Sequence, residues 1–158
     1  MALTKNGWRL LFHPMIIDQL RRLGAAADRA RATDPKHAAN NANVRLHAAI
    51  AKLVLDVVPA DPGHPGYRLG NTMGPSNRHW RRAEFAGRYR LFFRFDSRSR
   101  VIVYAWVNDT GSLRKAGSRN DPYVVFQKML ASGNPPDDWP TLVHSAGDLP
   151  EDRLGRTT

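Results

Sequence analysis

RHWRRAEFAGRYRLFFRFDSRSRVIVYAWV, residues 78–107, is the stretch that decides the fold. Three runs rich in aromatic and β-branched residues are separated by Ala86-Gly87 and by Asp96-Ser97-Arg98-Ser99. That pattern predicts consecutive antiparallel strands joined by tight turns. In the middle run Tyr89, Leu91, Phe93 and Phe95 alternate with Arg88, Arg90, Phe92 and Arg94. A period of two puts each set on its own face, so the expected solvent face carries three arginines around one phenylalanine. RVIVYAWV, residues 100–107, is apolar at nearly every position, which predicts a central strand buried on both sides. The hairpin register stays open. A two-residue turn sets Arg90 opposite Ala83, Phe92 opposite Arg81 and Arg94 opposite His79; a three-residue loop is expected to set Arg82 opposite Arg90.

The charge of this window is as informative as its periodicity. Eight of the 24 Lys+Arg lie between Arg78 and Arg100, opposed there only by Glu84 and Asp96, so the window holds most of the formal net charge of +10. Like charges opposite one another across strands repel, and an unpaired arginine is costly to bury. A sheet that keeps them needs an anion, and phosphate fits guanidinium best. A sequence pI near 10.8 points the same way, to nucleic acid first and an anionic membrane surface second.

On the N-terminal side, GWRLLF (7–12) reads as a short strand, and Pro14 opens a helix. Ile16, Ile17, Leu20, Leu23 and Ala27 recur at helical spacing until Asp34-Pro35. KHAANNAN (36–43) is a linker, and a second helix is expected over 44–57, capped by Asn43 and stopped by Pro59. ADPGHPG (60–66) is dense in turn residues, and 67–72 reads as a short strand or an ordered loop. GNTMGPSN (70–77) lacks the Lys-Ser/Thr of a phosphate-cradling loop.

On the C-terminal side, NDTGSLRKAGSRN (108–120) is a polar, basic loop. Asp121 caps a short helix with Pro122 at its first position; Val125, Phe126, Met129 and Leu130 face inward, and Gly133 ends it. Trp139 is expected to dock back onto the body. The fold class is therefore α+β, one domain over 1–146, with a polar, frayed tail at 147–158. No cysteine is present, which removes disulfides, thiolate nucleophiles and thiolate metal sites. The opening MALTKNGWRLLFHP is too interrupted for a signal segment, and no apolar run reaches the roughly 18 residues of a membrane span. A cytoplasmic location without membrane association is expected.

The chemistry narrows by what is missing. The six histidines (His13, His37, His47, His64, His79, His144) show no metal-ligand spacing, so neither metal nor other cofactor is expected. Paired carboxylates are scarce, with only Glu84 and Asp109 near the sheet. A cationic sheet with one histidine and one glutamate suits metal-independent RNA cleavage, in which the substrate's own 2′-hydroxyl attacks the adjacent phosphorus. The protein must hold the phosphate in line, neutralise the growing charge and move protons. Arginine is a poor proton donor, so His79, Glu84, Lys115 and Tyr123 are the titratable candidates.

GWRLLFHP, GNTMGPSNRHWRRAEF, RYRLFFRF, VIVYAWVND and DPYVVFQKMLASGNPPDDW, taken in order, resemble the YhaV-type toxins of type II toxin–antitoxin systems. The resemblance runs from Gly7 to about Trp139. It implies kinship with RelE toxins: two N-terminal helices, an antiparallel sheet of about four strands and a short C-terminal helix. It also implies metal-free endoribonucleolytic cleavage of mRNA, often on the ribosome, and neutralisation by an AbrB-like antitoxin encoded alongside, with operator DNA bound only as the toxin–antitoxin complex. Arg90 resembles the arginine that stabilises the scissile phosphate. Arg114 and Arg119 resemble the second basic position, and Tyr123 a C-terminal aromatic of such sites. On the preceding strand, where relatives of RelE use lysine or glutamate, this chain offers His79, Arg81, Arg82 and Glu84, so the base stays open. His79, Glu84, Arg90 and Arg119 are the catalytic candidates; Arg81, Arg82, Arg88, Arg94, Arg114, Lys115 and Tyr123 are the RNA contacts. Two other readings fit the same composition: a non-catalytic RNA- or DNA-binding module, and a protein-targeting toxin of the same fold.

Overall fold

The last strand of the arginine-rich window, β5 (Val101–Val107), lies at the centre of a five-stranded sheet in the order β1-β2-β5-β4-β3. The computed structural model describes residues 3–108 and 121–154. On one side of β5, β4 (Tyr89–Asp96) runs antiparallel and pairs in turn with β3 (Arg81–Phe85). On the other, β2 (Trp8–Phe12) runs parallel to β5, with Leu10 beside Ile102 and Phe12 beside Tyr104. The sheet is thus mixed, and has five strands where about four antiparallel ones are expected. The fifth is β1 (Thr4–Lys5), folded back on β2 by Asn6 and Gly7 at φ 51° and 81°. Asn-Gly is the strongest short hairpin signal.

Helices cover both faces. One core gathers Leu10, Phe12, Leu91, Phe93 and Ile102 under α1 (Pro14–Thr33) and α2 (Ala42–Lys52). The other gathers Leu11, Phe92, Val103 and Ala105 under α4 (Pro122–Ala131) and α5 (Trp139–Ser145). The face of β4 expected to meet solvent is therefore roofed. Phe92 is fully buried, and Phe126 of α4 stacks on it with centroids 4.4 Å apart. Trp106 stacks on Phe126 from one side and Trp80 meets it edge-on. The strand shows alternation correctly; the roof comes from residues far along the chain.

Two helix boundaries move from their expected places. Asn41, not Asn43, caps α2, accepting from Asn43 N and Val44 N. The helix then widens into a π turn at Leu53–Val57 before a last turn, α3 (Val58–Ala60), so that Pro59 sits inside the helical run instead of stopping it. The wide turn sends Val58 N–H to the Leu53 carbonyl. The Val54 carbonyl, freed of its ordinary helical donor, accepts the hydroxyl of fully buried Tyr104 at 2.8 Å. Residues 67–72 form no strand, only a single bridge between Arg68 and Arg81. Residues 147–154 are packed, not frayed: Gly147 bonds Phe12 in both directions at 2.8 Å, and Leu149 and Leu154 are buried.

The C-terminal roof is pinned by Asp137. Its Oδ1 accepts the indole N–H of Trp80 at 2.8 Å and lies 2.6 Å from His79 Nε2. Its backbone carbonyl accepts from Arg94 Nη1 at 2.5 Å, and the Arg94 guanidinium lies over the rings of Trp80 and Trp139. Burial pushes the Asp137 carboxyl up, but the bonds from His79 and Trp80, with the charge of Arg94, outweigh it and hold the group below the usual range. A carboxylate with a depressed folded value stabilises the fold above the unfolded value, and that contribution fades as pH falls through the folded one. Asp137→Ala is expected to cost about 1–3 kcal/mol by orphaning the Trp80 N–H. Urea titrations of both proteins at neutral pH, and again below the ordinary aspartate range of about 3.9, should show the gap between them shrinking in acid.

Candidate active site

The β3–β4 hairpin turns through three residues, because Phe85 pairs with Tyr89. Ala86 and Gly87 both take left-handed backbone, at φ 49° and 82°. The loop sets Glu84 opposite Arg90 and Arg82 opposite Phe92, which replaces both expected registers. Arg82 and Arg90 still meet, as diagonal neighbours on one face.

They meet on Tyr123. This residue lies in the first turn of α4, where Asp121 caps the helix by accepting Tyr123 N–H at 3.0 Å. Arg82 Nε donates to the Tyr123 hydroxyl at 2.8 Å and Arg90 Nε at 3.0 Å. Both guanidinium groups lie over the Tyr123 ring, 5.9 and 5.6 Å from its centroid. The remaining bonds fix each cation. Arg82 Nη1 donates to the carbonyls of Gly66 and Arg68 at 3.1 and 3.0 Å. Arg90 Nη1 donates to the Arg88 carbonyl at 3.0 Å, and the Arg90 backbone N–H to Asn108 Oδ1 at 2.6 Å. Asn108 Nδ2 closes the loop on the Arg88 carbonyl.

Glu84 is the only carboxylate that reaches this pair among the described residues. Its Oε1 lies 3.6 Å from Arg82 Nε and 3.8 Å from Arg90 Nη2, with the side chain 55% exposed. Those distances are ion pairs, not hydrogen bonds. Two fixed cations thus share one half-solvated carboxylate. Such a pair is preorganised for a second anion and loses little order on receiving it. Arg82, Glu84, His64, Gly66 and Tyr67, with Val57 and Asp61, line an open cleft of about 630 Å³ beside β3.

The other expected site residues fall elsewhere. His79 precedes Glu84 by five positions, roughly 16 Å along an extended chain, and is engaged by Asp137. The structure does not bring it to Arg90. Arg94, between two tryptophans, is occupied in holding the roof; burial lowers its pKa, against the pull of Asp137 and Asp138. Arg81 points to the opposite face, over Phe95, with Nη1 on the Arg78 carbonyl and its buried Nε without a hydrogen-bond partner among the described residues. Burial, with Arg68 nearby, lowers its pKa. Arg88 is exposed at the loop tip. Asp109, Arg114, Lys115 and Arg119 lie outside the described residues.

Sequence reasoning missed Asn108 and Asp137, and it read the turn residues around His64 without their tie to Arg82. Asn108 reads as the first loop residue after β5, with nothing to mark its amide as the brace of Arg90. Asp137 is hidden in a proline-rich connection. No group of three or more His, Asp or Glu among the described residues could hold a metal ion. No described helix is long and apolar enough to cross a membrane.

Residues 10–147 match the YhaV toxin family, described as toxins with endonuclease activity of a toxin–antitoxin system. The chain is 39% identical over 139 residues to "Ribonuclease toxin YhaV" of Escherichia coli strain K12, covering 87% of this chain and 90% of that protein. It is 38% identical over the same length to "Toxin YhaV" of Escherichia coli O6:H1 strain CFT073. No solved structure gives a significant match. The match covers the whole arginine-rich hairpin, the capped helix that carries Tyr123 and the roof beyond it, and the chain belongs to the YhaV family of toxin–antitoxin endonuclease toxins.

Proposed function

We propose that this endonuclease cleaves RNA by metal-independent attack of the 2′-hydroxyl on the adjacent phosphate, at the cleft beside Tyr123. The observation that carries the reading is the pair of guanidinium groups fixed by one phenol oxygen and faced by a single carboxylate. Arg82 and Arg90 bind the non-bridging oxygens and stabilise the charge that grows there. Glu84 takes the proton of the 2′-hydroxyl as the 2′-oxygen bonds to phosphorus. The bond to the 5′-oxygen breaks, that oxygen takes up a proton from solvent, and a 2′,3′-cyclic phosphate is left. Tyr123 positions the two cations from beneath. Arg88, Arg114 and Lys115 are assigned to the RNA backbone, where arginine-rich segments add affinity without sequence choice, and Arg119 is kept as a further catalytic cation.

His79 and Arg94 are assigned to holding the C-terminal roof; Arg81 is assigned to packing on the far side. The RelE-like relationship extends the same reading. Two helices on one face and a C-terminal helix bearing an aromatic on the other are its expected plan, here with an added edge strand and a second C-terminal helix. The substrate is mRNA, free or ribosome-associated, in the cytoplasm. The partner is an antitoxin of AbrB-like type that neutralises the cationic cleft and carries the toxin to operator DNA.

Purified toxin incubated with end-labelled mRNA, with and without ribosomes, should give discrete cuts ending in cyclic phosphate. Arg90→Ala should lower the cleavage rate by about 10²–10³-fold, the usual loss of one oxyanion donor, with the circular dichroism spectrum unchanged. Glu84→Gln should also be impaired; full activity in both variants would move the reaction away from this cleft. EDTA should leave the rate unaltered, whereas loss on chelation and recovery with a divalent cation would overturn the metal-free chemistry. RNA binding with steep salt dependence but no scission would favour the non-catalytic alternative.

A further inference from the structure

The cleft beside Glu84 contains a second ring that the reaction as derived does not use. His64 opens the turn His64-Pro65-Gly66-Tyr67-Arg68, and this turn is tied to the cluster: Arg82 Nη1 donates to the carbonyls of Gly66 and Arg68. The imidazole is oriented. Gly66 N–H donates to His64 Nδ1 at 2.9 Å, and the ring lies 5.5 Å from Tyr67, which stands edge-on to Phe93 in the core. Glycine at 66 is what lets the ring lie this close. A methyl group there would stand 2.9 Å from Nδ1 and 3.1 Å from Cε1.

This orientation fixes the chemistry of the ring. A nitrogen that accepts a backbone N–H carries no proton, so the neutral imidazole holds its hydrogen on Nε2. No described residue hydrogen-bonds Nε2. His64 therefore offers one N–H donor on the wall of the cleft that also displays Arg82 and Glu84.

We propose that His64 is a further catalytic residue, whose Nε2–H donates a hydrogen bond to a non-bridging oxygen of the reacting phosphate. The assignment rests on the cleft being the cleavage site. His64 acts as a hydrogen-bond donor through Nε2 and transfers no proton, while Glu84 and solvent carry the protons of the reaction. The ring thus supplies a further donor on the cleft lining it shares with Arg82 and Glu84.

The competing role is structural, since Nδ1 also caps the turn. Three substitutions separate the two roles, because asparagine places a polar group near Nδ1 and glutamine one near Nε2. In the mRNA cleavage assay, His64→Ala and His64→Asn should each lose about 10²-fold, as for one oxyanion donor, and His64→Gln should stay within about tenfold of the parent. Full activity in His64→Asn would show that only the turn cap matters and would overturn the assignment. Equal activity in all three variants, or a glutamine variant as weak as alanine, would overturn it too. Thermal unfolding of each variant checks the fold. A long-range nitrogen–proton spectrum of the parent protein gives an independent readout. It should show Nε2 as the protonated nitrogen and shift when an RNA with a 2′-deoxy scissile position is added; an Nδ1-protonated ring or an unmoved signal overturns the proposal. Arg90→Ala and Glu84→Gln run in the same assay. Should those two remain active, the location of the site fails, and a silent His64 series beside two dead controls fails His64 alone.

Discussion

Two arginine Nε–H groups converge on the oxygen of Tyr123, and much of the molecule is arranged so that they can. β3 supplies one arginine, β4 the other, and the first turn of α4 supplies the phenol. None of the three elements is close to the others in sequence order except the two strands of the hairpin. Bringing two like charges together is unfavourable in isolation. Here the repulsion is offset by carbonyls from the 64–68 turn, the carbonyl of Arg88, the Tyr123 ring and a partly solvated glutamate. The arrangement leaves the cations positioned but incompletely neutralised, which is the state an anion-handling site requires.

That constraint explains the second core. Arg90 is 9% exposed and Phe92, its neighbour on the same face, is fully buried. An arginine held this deep needs its donors satisfied, because an orphaned polar group in a low-dielectric setting is expensive. The aromatic stack of Phe92, Phe126 and Trp106 excludes water beneath Tyr123, and the Asp137 clamp holds the segment that covers Trp80. Packing at the roof and chemistry at the cleft are therefore coupled through one helix, α4.

What was legible in the sequence follows the range of the signals. Local ones read well. The alternation of Tyr89 to Phe95, the apolar run of β5, Pro14 at a helix start and the Asp121-Pro122 cap all predict what is found. Two local signals were readable and overlooked: Asn6-Gly7 as a hairpin turn and Asp138 as a cap, two residues before Pro140. Long-range ones were not legible. Nothing within β4 announces that α4 will cover its arginine face, or that β2 will lie parallel to β5. His79 illustrates the same limit for function. It is expected to open the strand but lies in the turn before β3, and a partner 58 residues away, Asp137, shows where it belongs. His64, by contrast, was filed with the turn residues around it, because a His-Pro-Gly sequence says turn before it says anything about a cleft.

Phe12 and Gly147 exchange backbone hydrogen bonds, and Leu149 and Leu154 complete the core beneath α1 and α2. β2, near the start of the described chain, is thus finished by a segment near its other end. Contacts of such long sequence separation repay their loop-closure entropy only once formed, which slows folding. During synthesis, the hairpin and its arginines exist before α4 and Tyr123, which fix them, have been made. A chain whose product attacks nucleic acid would then emerge without its working geometry and acquire it only as α4 docks on the hairpin, so the order of assembly itself delays the appearance of the toxic form.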